Sequence, residues 1–166
     1  MPTQNQAKYL RNFIFGVEDS LVSTVGLISG VAAAGVSRKN IILTGVVLVC
    51  VEAFSMGVGT LVSETTAKEY EQQSQEPMDH SFGYAAVMLL SYLFAGLLVI
   101  LPYIVVKNWA FVLSIAVSLM ALFFLGVVSA WLSHIRKIRQ GALFVFLGGA
   151  AIVLGIAVGQ LVEMVG

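Results

Sequence analysis

The chain has 166 residues, of which 58% are hydrophobic and 11% charged, and its formal net charge is zero. Water-soluble domains carry about a quarter charged residues, so the composition excludes an ordinary soluble globular protein, and neutrality argues against a nucleic-acid partner. The single cysteine, Cys50, excludes an intramolecular disulfide and reads as a small buried hydrophobe.

A helix needs about 20 apolar residues to cross a bilayer. Met1–Asn12 is polar, and the apolar run after it is too long and too acidic for a signal peptide, so the first span is expected to be retained. Five runs read as spans: Phe13–Val36, Ile41–Glu64, Gly83–Val106, Trp109–Leu132 and Gly141–Met164. They predict an all-α membrane protein of five transmembrane helices, a single transmembrane domain over residues 1–166. Ser37–Asn40, Lys107–Asn108 and Ser133–Gln140 are short connections. Thr65–Phe82 reads as a short polar loop, with Glu69, Glu71, Glu76 and Asp79 against Lys68, broken by Pro77.

Lys8, Arg11, Lys68, Arg136, Lys137 and Arg139 fall on the side of the N-terminus, against Arg38, Lys39 and Lys107 on the other. The positive-inside rule therefore predicts a cytoplasmic N-terminus. Trp109 and Trp131 near the two ends of span four read as interfacial anchors. Gly26–Gly30 and Gly155–Gly159 are GxxxG patterns, which suit close helix approach either within one chain or between two.

The spans hold Glu18, Asp19 and Glu52 but no Lys or Arg. A bare carboxylate at membrane depth costs about 2.5–3.5 kcal/mol on insertion scales, and either a proton or a metal cation offsets that cost. On a helical wheel, Glu52, Ser55, Met56, Gly59, Thr60 and Ser63 form one stripe of span two. Asp19, Ser23, Gly26 and Gly30 form a comparable stripe of span one, and Glu18 turns away from it. Counted from the span ends at 1.5 Å per residue, Asp19 lies level with the Met56–Thr60 turn, roughly 9 Å below the surface, with Glu52 one turn deeper.

Two carboxylates and a thioether suit a divalent first-row transition ion better than Mg²⁺ or Ca²⁺, and no Cys or His cluster points to tight zinc or copper binding. Asp19, Glu52 and Met56 are the candidate ligands, with the hydroxyls of Ser23 and Thr60 assisting and Glu18 of secondary standing, since it could instead snorkel to water. A carboxylate taken out of water holds a proton until a cation replaces it, so metal and proton would compete, as in an exchanger. No nucleophile–base constellation appears, and His80 and His134 lie in connections, so no enzymatic step and no permanently bound cofactor are expected. Other readings stay open: a non-transporting membrane scaffold with protonated carboxylates, or a proton-coupled carrier of another cation. An organic cation would favour an aromatic-lined cavity, and the Phe and Tyr residues show no clustering on the acidic faces.

Phe15–Leu21, Gly26–Gly30 and Glu52-Ala-Phe-Ser-Met56-Gly-Val-Gly59, together with Ala95-Gly96 and Leu101-Pro102-Tyr103, resemble the vacuolar iron transporter family. The resemblance implies a five-helix homodimer that moves Fe²⁺, and often Mn²⁺, out of the cytosol in exchange for protons. It places the family's intramembrane aspartate at Asp19 and its second-span methionine at Met56. Two departures stand out. The glutamate that many members carry after the methionine is replaced by Thr60, with Glu52 one turn earlier as a substitute. The glutamate-rich domain of well-described members has no counterpart, because Thr65–Phe82 is too short. Glu64, Glu69 and Glu71 then read as metal collectors at the cytoplasmic mouth or as a solvated charge run. With no targeting signal or soluble domain read in the sequence, a prokaryotic cell membrane is expected, with a vacuolar membrane as the alternative.

Overall fold

In the computed structural model, residues 4–74 and 79–165 are described. They form five α-helices and no strand: α1 Gln4–Ala33, α2 Arg38–Gln72, α3 Asp79–Val105, α4 Ala110–Leu132 and α5 Lys137–Val165. All five are long and apolar enough to cross a membrane. In lipid each backbone amide must be satisfied within its own segment, which is why the apolar runs fold as unbroken helices.

Two helices run well past the apolar runs that announced them. α1 begins at Gln4, well before Phe13, and α2 continues past Glu64 to Gln72. The first part of the expected Thr65–Phe82 loop, through Gln72, is thus a polar extension of α2. Lys68, Glu69 and Glu71 are good helix formers with no Gly or Pro among them, so the helix runs on until Gln73 turns into the left-handed region at φ 51°. Glu76 and Pro77 lie outside the described residues, and α3 already starts at Asp79.

α1 is the central helix, touching each of the other four. α2 packs chiefly on α3, and α4 on α5. Leu21 and Val25 of α1 sit at the middle of the core with Ala95 and Val99 of α3, Leu122 and Leu125 of α4, and Phe144 and Ile152 of α5. The GxxxG patterns meet each other. A Cβ on Gly155 would run into the carbonyl of Gly26, and one on Gly159 into the carbonyl of Gly30. Of the two readings of these glycines, the structure displays packing within one chain, with the backbones of α1 and α5 in contact.

The outward face of α2, including Leu43, Val47, Val51, Phe54 and Val58, is exposed and apolar, as a lipid-facing surface should be. Cys50 lies on it and is exposed, not buried as its residue type suggested; α2 has neighbours on one side only. Arg38 has a structural task on the opposite rim from the N-terminus. Its guanidinium donates to the carbonyls of Tyr103 at 2.5 Å and Ile104 at 3.0 Å, satisfying orphan acceptors at the end of α3. That explains a cation on the side where the charge rule expects few.

Candidate metal-ion site

Glu52 projects from the inner side of α2, half-buried, toward α1 and α3. The phenol of Tyr92, from α3, donates to its Oε2. Ser23 of α1 lies 2.7 Å from the Tyr92 hydroxyl and 3.5 Å from the same carboxylate oxygen. A phenol has one proton to give. With that proton on Glu52, the Ser23 hydroxyl is the donor to Tyr92. Three helices therefore converge on one carboxylate through hydroxyls, with no cation among them. Ser20, also on α1 and fully buried, donates to the Tyr92 backbone carbonyl at 2.6 Å and holds α1 and α3 together at this level.

Asp19 is half-buried on α1, one turn before Ser23, and close enough to Glu52 for their charges to interact. Glu18, next to Asp19 in the chain, is also half-buried. Met56 follows Glu52 by one turn on α2 and is half-buried. Two contacts fix the register of α1 against the antiparallel α2. Arg11 meets Glu64, and Ser23 meets Glu52, the same number of residues apart on both helices. One turn back from Ser23 is Asp19, and one turn on from Glu52 is Met56. By this register the residues Asp19 and Met56 occupy one level of the two helices, and Ser23 and Glu52 the next.

Thr60 is buried, and its carbonyl accepts from Ser63 at 3.2 Å. Ser55 and Ser63 are exposed, and a Cβ on Gly59 would meet nothing. The polar stripe of α2 therefore has two edges, one against α1 and α3 at Glu52 and Thr60, the other open.

Glu64 lies elsewhere. It is 4% exposed, and both its oxygens are taken, one by Lys8 at 2.8 Å and the other by Arg11. It is neither part of a solvated charge run nor a free carboxylate at the mouth, as its position suggested. The N-terminal extension of α1, which the apolar count left out, brings those cations alongside. Tyr84 of α3 completes the cluster. Its ring lies against Tyr9 at 4.5 Å between centroids and under the Lys8 ammonium at 5.8 Å, and its hydroxyl donates to Asn5 at 3.1 Å.

Tyr92 is the residue that sequence reasoning missed. No Phe or Tyr was expected on the acidic faces, yet this phenol is the closest partner of Glu52. A buried tyrosine hydroxyl needs a polar partner, and a Ser91-Tyr92 pair in the middle of an apolar span was the available signal. Among the described residues, no three of His, Cys, Asp and Glu come together as a metal-holding group. Any ion held here takes part of its coordination from hydroxyl, thioether or water.

Five apolar spans around an internal, cation-free acid pair define an integral, multi-pass membrane protein. The VIT family model matches residues 10–82 and 74–160, nearly the whole chain, and the chain belongs to that family of metal-ion transporters. It is also similar to vacuolar iron transporter homolog 2 of Arabidopsis thaliana, with 26% identity over 97% of this chain and 88% of that protein.

Proposed function

We propose that the protein carries Fe²⁺ or Mn²⁺ out of the cytosol in exchange for protons, working as a homodimer with its N-terminus in the cytoplasm. The observation that carries this reading is Glu52, a carboxylate within the spans whose partners are the Tyr92 and Ser23 hydroxyls rather than a Lys or Arg. Asp19 and Met56 at the adjacent level add a second anionic oxygen and a sulfur, the donor set that favours a transition ion over a hard one. The name of the similar Arabidopsis protein supports iron as the cargo.

Each residue has a part in the proposed cycle. With no ion present, protons neutralise Glu52 and Asp19. An arriving divalent cation displaces them, and Met56 contributes a soft ligand that holds without trapping. Ser23 and Thr60 supply neutral oxygens, and Glu18 stands beside Asp19 as a second-rank contributor. Tyr92 orients Glu52. Glu64 is left outside the ligand set because Lys8 and Arg11 already occupy its oxygens. A second copy covering the open edge of the α2 stripe at Ser55 and Gly59 would shield the ion from lipid, which supports the dimer.

The test is uptake of Fe²⁺ and Mn²⁺ into proteoliposomes with and without an imposed pH gradient, for the wild type, Glu52→Gln and Asp19→Asn. Gradient-stimulated uptake by the wild type alone is expected. Equal uptake by all three proteins would overturn the assignment, and indifference to the gradient would overturn the proton exchange.

A further inference from the structure

Outside the acid site, a polar concavity lies at the elbow between α4 and α5. The chain reverses there through His134, a non-glycine residue at φ 55°. Arg136, Lys137 and Arg139 follow at once, all exposed. Among the described residues, no ion pair is seen at Arg136, Lys137 or Arg139. Arg136, Arg139, Gln140 and His134, together with Ile135 and Leu143, line a concavity of about 910 Å³.

The apolar part of this surface narrows the choice of ligand. Leu132, Ile135, Ile138 and Leu143 are exposed around the arginines, at the place where α4 ends and α5 begins. A free phosphate would engage the guanidiniums and leave that flank in water. A phospholipid satisfies both halves, with its phosphate on the cations and its first acyl carbons against the apolar flank. Arginine's planar fork suits a phosphate oxygen pair, and basic pockets between transmembrane helices take anionic headgroups. We propose that the α4–α5 elbow binds the headgroup of an anionic phospholipid, with Arg136 and Arg139 on the phosphate.

The test uses the full chain purified in neutral detergent. Dioleoyl phosphatidylglycerol and dioleoyl phosphatidylcholine are added in equal amounts, and the lipid retained is counted by native mass spectrometry. The wild type is expected to retain the anionic lipid at least about fivefold more than the neutral one, the effect of one or two surface cations. Arg136→Gln with Arg139→Gln should abolish that preference. Arg136→Lys with Arg139→Lys, which keeps the charge and loses the fork, should stay above the glutamine variant. Millimolar inorganic phosphate should leave the bound lipid in place. Equal retention of the two lipids by the wild type, an unchanged preference in the glutamine variant, equality of the two variants, or displacement by inorganic phosphate would each overturn the proposal.

Discussion

Glu64 and Glu52 are the same residue type on the same helix, three turns apart, and they have opposite surroundings. Glu64 is answered by two cations from α1. Glu52 is answered by a phenol and a serine. Cations neutralise a carboxylate permanently and leave nothing to attract a passing ion. Hydroxyls orient it and leave its charge uncompensated, so a proton or a metal must finish the task. Position along the span separates the two: Lys8 and Arg11, on the N-terminal extension of α1, reach Glu64, and among the described residues no cation reaches Glu52.

That contrast can be broken in a definite order. Glu52→Gln should have the largest effect on transport. Loss of an outer-shell partner alone costs roughly 10- to 100-fold at metal sites, so metal uptake should fall by about a hundredfold or more, while thermal unfolding in detergent barely changes. Lys8→Met with Arg11→Met should do the reverse. It leaves a buried, unpaired carboxylate at Glu64, and loss of partners at such a site costs about 3 kcal/mol, read as a lowered unfolding temperature. If that double variant were as stable as the wild type, Glu64 would not depend on its cations.

Tyr92→Phe comes next. It removes the donor to Glu52 and keeps the ring in the core, so uptake should drop by about tenfold with the fold intact. Uptake equal to the wild type would mean that Glu52 needs no orienting partner. Glu64→Gln should be the mildest change. Arg11 and Lys8 have side chains 65% and 33% exposed and can turn to water, so the screened loss is about 1 kcal/mol, and uptake should stay within about twofold of the wild type. A collapse of transport in that variant would restore Glu64 as a metal collector.

The same contrast explains what could be read in the sequence. Asp19, Glu52 and Ser23 were legible because polar or charged residues inside an apolar run stand out without any knowledge of neighbours, whereas Met56 stood out only by sharing the Glu52 stripe and by the family resemblance. The five spans were legible as long apolar runs. The pairing of Glu64 was not, because Lys8 and Arg11 lie in polar sequence that hydropathy treats as outside the helix, although α1 begins at Gln4. Tyr92 was hidden because an intramembrane tyrosine is ambiguous until its neighbours are known. Its partners, Ser23 and Glu52, lie on two other helices. The burial of Cys50 was misjudged because residue type carries no information about which side of α2 lacks a neighbour.

The seam of glycines between α1 and α5 limits how the protein can move. Side chains can repack when a helix turns, but bare backbones in contact cannot. Rotation of either helix would bring a side chain into the seam, where a Cβ at Gly155 or Gly159 already meets the carbonyl of Gly26 or Gly30. The first and last spans are therefore expected to move as one strut, with Asp19 and Ser23 on its wall. Any alternation of the Glu52 carboxylate between the two faces of the membrane falls to α2, which rests mainly on α3. Spin labels on α1 and α5 should keep a constant separation during transport, while a pair on α1 and α2 changes; a changing α1–α5 distance would unseat the strut.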